Sequence, residues 1–444
     1  MSLSARARDT SGWNTLIDEV TQGRWRDPDT GRAVEVPFKH IEIGDGFAAA
    51  ARDMVEAVMP AQSYAVVCDA DTAAVMGAEI AQRLGGKGKL VILDHPHADA
   101  AQVRQVQQLT ADQEALIAVG SGTINDLCKY ATYLDGRRYS VFATAPSMNG
   151  YTSSTASITL DSGLKTTQNA HAAKGVFIDI EVSSQAPQYL IGAGLGDSLC
   201  RPTAQVDWYF SHVLLGTRYA TAPYLLQEAD EAEALRRTAD MGRGEHDSIG
   251  YLQRLLTLGG LGIAVVGMSH PGSMGEHQIS HWIDSFAGGR HPGTVHGQQV
   301  GVASITMARL QDWLLSREEA PRIRGWQPDE AAIRARYPAA AVEDCLKASR
   351  AKAMDADKAA AFNHHLAEIW PQLRQTLRAM MLPPEEMAAH LRAAGGGATY
   401  DEIGLERGLY IDALRHCREM RDRYSLLDLA DDMGVLNDFI EEYV

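Results

Sequence analysis

Four groups of residues in this 444-residue chain have types and spacings that can do chemistry. The most informative joins Asp197, in GAGLGDSL, to His277 and His281, in GEHQISH, and to His296, in VHGQQVGV. His277 and His281 are four positions apart, so a helix carries both on one face. His296 opens the next helix, beyond the glycine-rich connection GGRHPGT, and an antiparallel helix pair brings it back toward His277. Two imidazoles and a carboxylate supply three protein ligands with a position left open, the pattern of a catalytic rather than a structural metal site. No thiolate belongs to the set, so zinc, iron and nickel are all chemically acceptable. The competing reading makes each histidine an ordinary surface or core residue.

The other three groups sit at the ends of apolar runs. Gly120-Ser121-Gly122-Thr123-Ile124-Asn125-Asp126 follows ALIAVG and opens a helix. Small residues there let the backbone approach a pyrophosphate, and a helix N-terminus favours its charge. Asn125 stands where a third glycine of GxGxxG would be, so a plain capped turn fits the segment equally well. Thr144-Ala145-Pro146-Ser147-Met148-Asn149-Gly150, followed by Tyr151-Thr152-Ser153-Ser154, clusters hydroxyls and an amide behind another run. It reads as a cleft rim or as a Ser/Thr-rich turn. Asp69, in VVCDADT, can accept from a ribose diol or cap the helix that follows.

These groups need elements to hold them. Short β-rich runs occur at 65–69, 90–93, 115–119 and 140–144, with helix-period stretches at 47–58, 72–84, 99–109 and 123–134. That alternation predicts a parallel sheet covered by helices, with the polar groups at the strand ends where ligands bind. Past residue 187 strand text gives way to helices at 198–215, 221–239, 248–268, 274–285, 297–316, 329–352 and 355–380. The expected organisation is an extension over 1–37 with one short helix near 15–22, an α/β dinucleotide-binding domain over 38–186, and an all-helical metal- and substrate-binding domain over 187–444.

Composition narrows the class. With 41 basic and 57 acidic residues the net charge is −16, a poor match for nucleic acid or an anionic membrane. The five cysteines are scattered and never form CxxC, which argues against a disulfide framework or a thiolate zinc site. The N-terminal stretch MSLSARARDTSGW has no apolar signal core, and the apolar run 258–268 is too short and glycine-rich to span a bilayer. A cytoplasmic enzyme without integral membrane association is the expectation.

GSGTINDLCKY (120–130), TAPSMNGYTS (144–153), GLGDSL (194–199), GEHQISH (275–281), HGQQVGV (296–302) and YSLLDLADDMGVL (424–436) together resemble the sn-glycerol-1-phosphate dehydrogenases, relatives of the iron-containing alcohol dehydrogenases, glycerol dehydrogenase and dehydroquinate synthase. The resemblance runs from about residue 15 to the end. It implies a Rossmann-like parallel-sheet domain plus a C-terminal all-helical domain, the dehydroquinate synthase-like arrangement. It implies reduction of dihydroxyacetone phosphate with NADH or NADPH at one divalent ion, zinc or nickel, with iron possible. Residue by residue, Asp69 would hold the cofactor ribose. Gly122, Thr123, Ile124, Asn125 and Asp126 would line its phosphates, and Thr144, Ala145, Pro146, Ser147 and Ser153 would border it. Asp197, His277 and His296 would bind the metal; His281 would touch substrate and relay a proton or orient a hydroxyl; Asn149 would touch substrate. A homo-oligomer is a family-level expectation.

Two positions depart from the family. Asn149 replaces a common Asp, keeping a donor and an acceptor but losing a charge. Gln298 replaces a common Glu, which is expected to retune a metal-bound histidine. A phosphorylated substrate also needs cations, for which Lys129, Lys165, Lys174 and Arg201 are candidates or else surface charges. The alternatives are a sugar-phosphate cyclase using NAD transiently, a glycerol or alcohol dehydrogenase, and a catalytically degenerate nucleotide-binding protein.

Overall fold

The computed structural model describes residues 12–444. The first eleven residues, with most of the stretch read for an export signal and the start of the 1–37 segment, lie outside the described residues. Eight strands follow: β1 (Ile41–Gly44), β2 (Tyr64–Asp69), β3 (Gly88–Leu93), β4 (Ala115–Gly120), β5 (Arg138–Ala143), β6 (Thr155–Thr159), β7 (Lys165–Asn169) and β8 (Val176–Asp179). Six form one sheet in the order β1-β8-β5-β4-β2-β3, and each pairing in it is parallel. β6 and β7 make a separate antiparallel hairpin.

The sheet order creates the ligand crevice. The chain leaves β2 toward β3 on one side and returns to place β4 on the other side of β2. The connections after β2 and β4 therefore diverge, opening a crevice at the carboxyl ends of the strands. Asp69 closes β2, Gly120 closes β4, and Thr144 follows the end of β5, so the three strand-end groups share one rim. Tyr151 ties two of these ends together: its hydroxyl donates to the carbonyls of Gly120 (3.3 Å) and Ala145 (3.0 Å).

β2 to β5 lie where the sequence places them, because each is an apolar run; β2, β4 and β5 are buried on both faces, with Val66, Val67, Leu116 and Ile117 fully covered, whereas the edge strand β3 leaves Leu90 and Ile92 exposed. β1, β8 and the hairpin went unread. IEIG and VFID are only four residues long, and the hairpin's TASIT and KTTQN are polar and partly exposed.

The helices that matter are α1 (Gly122–Asp135), α2 (Gln188–Ser198), α3 (Cys200–Leu215), α4 (Ala222–Leu235), α5 (His246–Val266), α6 (Gly275–Phe286) and α7 (His296–Leu315). Among the described residues α5 alone is long and apolar enough to cross a membrane, and it is mostly buried inside the protein. The glycine-rich segment holding Asp197 is helix α2. Pro338 divides the expected helix 329–352 into Glu330–Arg336 and Ala339–Lys352, because the residue before a proline disfavours helical geometry. The short helix Thr15–Thr21 is present. Trp13 beside it packs edge-on against Tyr251 of α5, ring centroids 5.1 Å apart.

Candidate active site

Glycines let the site close. A Cβ at Gly194 of α2 would overlap the Pro146 carbonyl oxygen and stand 2.7 Å from its carbon. A Cβ at Gly196 would overlap the Gly297 carbonyl and stand 3.2 Å from the Gly301 Cα. Helix α2 thus lies backbone to backbone against the loop after β5 on one side and against α7 on the other. No side chain of ordinary size permits either approach, and together they carry Asp197 to His296.

The donor atoms converge. Asp197 Oδ1 is 3.8 Å from His277 Nε2 and 3.9 Å from His296 Nε2, and all three donor atoms lie within 4.8 Å of one another. Metal bonds of about 2.0–2.2 Å place tetrahedral ligands roughly 3.4 Å apart, so each histidine is within about half an ångström of the separation from Asp197 that a shared ion requires. Asp197 and His277 are almost fully buried, whereas the His296 side chain is 30 % exposed toward solvent. That exposed edge is the open side a substrate requires.

Each candidate donor is held from behind. Glu276, fully buried, accepts from His277 Nδ1 at 2.9 Å and from the Met274 backbone N–H at 2.7 Å. This fixes the tautomer and leaves the His277 Nε2 lone pair facing Asp197. His296 Nδ1 lies 3.2 Å from Ser280 Oγ, which donates to Gln299 Oε1 at 2.9 Å. Gln299 Nε2 donates in turn to Asp284 Oδ1, and Lys165 pairs with the other oxygen of Asp284 at 2.7 Å. Asp197 Oδ2 accepts the Asn149 backbone N–H at 2.9 Å. Burial raises the Asp197 carboxyl above its ordinary range, and His277 opposes that rise. Cys200, Glu276 and His277 also cluster. Burial pushes the Cys200 thiol well up, and Glu276 is already engaged with His277, so that trio is the weaker donor set.

Glu276, Ser280 and Gln299 were not singled out from the sequence. The residue expected to tune a metal-bound histidine, Gln298, instead accepts from the Val295 backbone N–H at 3.0 Å and caps α7. The next residue, Gln299, faces the histidine network. One helical step of about 100° separates the two roles.

His281 follows His277 one turn later on α6. Its ring centroid is 6.0 Å from that of His277 and 5.5 Å from that of His296. Arg421 Nη2 donates to its Nδ1 at 2.8 Å. Burial, with Arg421 adding to the effect, holds this imidazole well below its ordinary pKa. It is therefore neutral with its proton on Nε2, a donor rather than an acceptor toward anything bound beside it.

At the strand ends Ser121, Gly122 and Thr123 are part-exposed, while Ile124 and Asn125 are buried. Asp126 is tied inward, accepting from the Ser157 backbone N–H at 2.9 Å and pairing with Lys129. The exposed part of the turn is thus the backbone of 121–123, at the N-terminus of α1. Asp69 Oδ1 caps the following turn through the Thr72 N–H at 2.8 Å and its hydroxyl at 2.7 Å. This is the capping alternative. Thr144, Ala145, Pro146 and Ser147 line the same rim, and the Ser153 hydroxyl bonds to Thr155 Oγ1 at 2.8 Å.

The expected cations fare unevenly. Lys129 is fully buried and donates to the carbonyls of Gly150 and Thr155, both at 2.9 Å, so it is structural. Arg201 pairs with Glu231 and Lys165 with Asp284. Lys174 is exposed on the connection before β8.

A family profile described as iron-containing alcohol dehydrogenase matches residues 42–187. Solved structures with this fold include a glycerol dehydrogenase from Schizosaccharomyces pombe (TM-score 0.60, 15 % identity, 94 % of this chain and 93 % of that chain). Another is a probable glycerol dehydrogenase from Sinorhizobium meliloti (TM-score 0.60, 13 % identity, 93 % and 99 %). The parallel sheet with its helical second half therefore has the fold of the iron-containing alcohol dehydrogenases. Among curated proteins, the glycerol-1-phosphate dehydrogenase [NAD(P)+] of Bacillus velezensis is 30 % identical over 384 residues, covering 84 % of this chain and 86 % of that protein. The Bacillus subtilis enzyme of the same name is 29 % identical over 394 residues, with the same coverages. The chain belongs to the glycerol-1-phosphate dehydrogenase family.

Proposed function

We propose that this enzyme reduces dihydroxyacetone phosphate to sn-glycerol-1-phosphate with NADH or NADPH, in the cytoplasm, using a divalent ion on Asp197, His277 and His296. The convergence of those three donor atoms at the mouth of the strand-end crevice carries the reading. The donor set suits a borderline divalent ion, since it is one carboxylate and two imidazoles with both imidazole tautomers set from behind. When bound, such an ion polarises a carbonyl as a Lewis acid, and the nicotinamide supplies the hydride.

The chain's own residues do the rest. Glu276 and Ser280 hold the two imidazoles in register. The Asn149 backbone N–H orients Asp197. His281 presents Nε2–H to the substrate, where it steadies an oxygen that gains charge and can give up a proton. The 121–123 backbone receives the cofactor's phosphates, and Asp69, once its cap relaxes or through its second oxygen, receives the ribose.

The test is purified enzyme assayed with dihydroxyacetone phosphate, glycerol-1-phosphate, glycerol-3-phosphate and glycerol, with zinc, nickel or no added metal. Sustained metal-dependent change at 340 nm with the triose phosphate and with glycerol-1-phosphate supports the reading. Phosphate release with no lasting change in cofactor absorbance would instead identify a cyclase.

A further inference from the structure

The interior arginines of this acidic chain are ion-paired almost throughout. Arg254 pairs with Asp230, Arg201 with Glu231, and Arg418 with Asp428, Asp431 and Asp432. Arg421 and Arg423 differ. Among the described residues neither forms an ion pair, although both are largely withdrawn from solvent. Arg421 hydrogen-bonds only to neutral partners, His281 Nδ1 at 2.8 Å and Thr167 Oγ1 of β7 at 3.5 Å, with Asp422 and Glu276 acting on both arginines only at longer range. Arg423 donates to the Ser273 carbonyl and to Ser269 Oγ. Holding an unpaired positive charge away from water is costly, and two neighbouring ones add repulsion. Burial, with Arg421 beside it, pushes Arg423 down to about 9. An arrangement of this kind is relieved by an anion.

Its place says which anion. One imidazole, His281, separates Arg421 from the rings of His277 and His296. In a triose phosphate the phosphate ester is on the carbon next to the carbonyl carbon, so a cation for it belongs about one side chain from the carbonyl site. Lys165 and Arg201 are already neutralised by Asp284 and Glu231. Arg421 retains unused donors of a planar fork suited to two phosphate oxygens.

We propose that Arg421, with Arg423 behind it, is the specificity-determining anchor for the substrate's phosphate group. This rests on the reductase reading above for the identity of the substrate. On this view the Arg421–His281 contact couples recognition to chemistry, since the guanidinium that meets the phosphate also fixes the His281 Nε2–H that meets the reacting end.

The test compares wild type with Arg421→Gln and Arg421→Lys, each checked for metal content. Gln keeps a donor for His281 but removes the charge; Lys keeps the charge but not the fork. The readouts are the ratio of kcat/KM for dihydroxyacetone phosphate to that for dihydroxyacetone, and inorganic phosphate binding by calorimetry. Arg421→Gln is expected to lower the ratio by about 10- to 150-fold, the usual range for losing a hydrogen bond to a charged group. It should weaken phosphate binding at least tenfold. Arg421→Lys should fall in between, and it decides the matter if the Gln variant does not fold. A ratio within threefold of wild type, with unchanged phosphate affinity, overturns the proposal. Should wild type reduce neither ketone, the reductase reading falls while the phosphate titration still decides on Arg421.

Discussion

Gly194→Ala tests whether backbone contact, rather than the three ligands alone, makes the metal site. The added Cβ would stand 2.7 Å from the Pro146 carbonyl carbon, where ordinary contact begins at 3.4 Å. Helix α2 and the 144–149 loop must then separate by at least about 0.7 Å. Both sides are backbone, so no side-chain rotation relieves the clash. Metal sites tolerate about 0.2 Å in ligand position, and Asp197 lies one helical turn from the point of contact, with Oδ2 held by Asn149 of the displaced loop. The expected cost is about 1–3 kcal/mol of stability from overpacking, together with at least a tenfold loss of divalent-ion affinity. Gly86→Ala is the control, since a Cβ there meets nothing within 4 Å. Metal content after dialysis against a graded zinc buffer, and urea midpoints of both variants, provide the measurement. A Gly194→Ala protein that binds zinc within twofold of wild type and unfolds at the same urea concentration would refute the reasoning.

Three further outcomes follow from the same geometry. Glu276→Gln, which removes the charge holding His277 Nδ1, should weaken metal binding by about 10- to 100-fold, measured by competition with a chromophoric chelator. Chelation should abolish turnover and lower the melting temperature, both restored by zinc or nickel; metal at 100 times its Kd contributes about 2.7 kcal/mol. Burial holds His270 down at about 3, so the folded protein excludes a proton that the unfolded chain takes up below about 6.5. Its contribution to stability is present above pH 6.5 and is lost as pH falls. Between pH 7.5 and 5.5 the loss is at most about 1.4 kcal/mol. In metal-loaded enzyme His270→Asn should shrink the acid-induced drop in urea midpoint by up to that amount, and an identical drop in both proteins would refute it.

What the sequence displayed was whatever repeats with a short period. The i, i+4 pair His277 and His281 and the apolar runs of β2 to β5 announce themselves because neighbouring residues carry the pattern. The three metal-site candidates were legible for that reason, each within its own motif. The supporting residues were not. Arg421 meets His281 from 140 positions away, and nothing local marks it. Glu276 adjoins a candidate ligand, but adjacency on a helix ordinarily turns two side chains apart. Only the fold, which carries its carboxylate to His277 Nδ1, assigns it a role. Helix α2 is not legible in the sequence, because three glycines in seven residues lower helix propensity by about 1 kcal/mol each. The close contacts with Pro146 and Gly297 supply what propensity lacks, and the same glycines that hide the helix make those contacts possible.

Asn149 shows how charge is apportioned across the site. Its backbone N–H holds Asp197 Oδ2, an anchor any residue except proline would preserve. Its side-chain amide makes no hydrogen bond among the described residues and lines a small cavity with Asp197, Arg201 and Gly272. Two carboxylates stand at this end of the site, Asp197 among the three donors and Glu276 behind His277. Arg421 stands beyond His281, with Arg423 two residues on, where the proposed phosphate would be met. The family's common Asp at position 149 would add a third carboxylate beside Asp197, whose ionisation burial already disfavours, and like charge would disfavour it further. A neutral amide avoids that repulsion. The loss of the acid at 149 is thus compatible with an ion on Asp197, His277 and His296, and on the proposal above it leaves substrate recognition to Arg421.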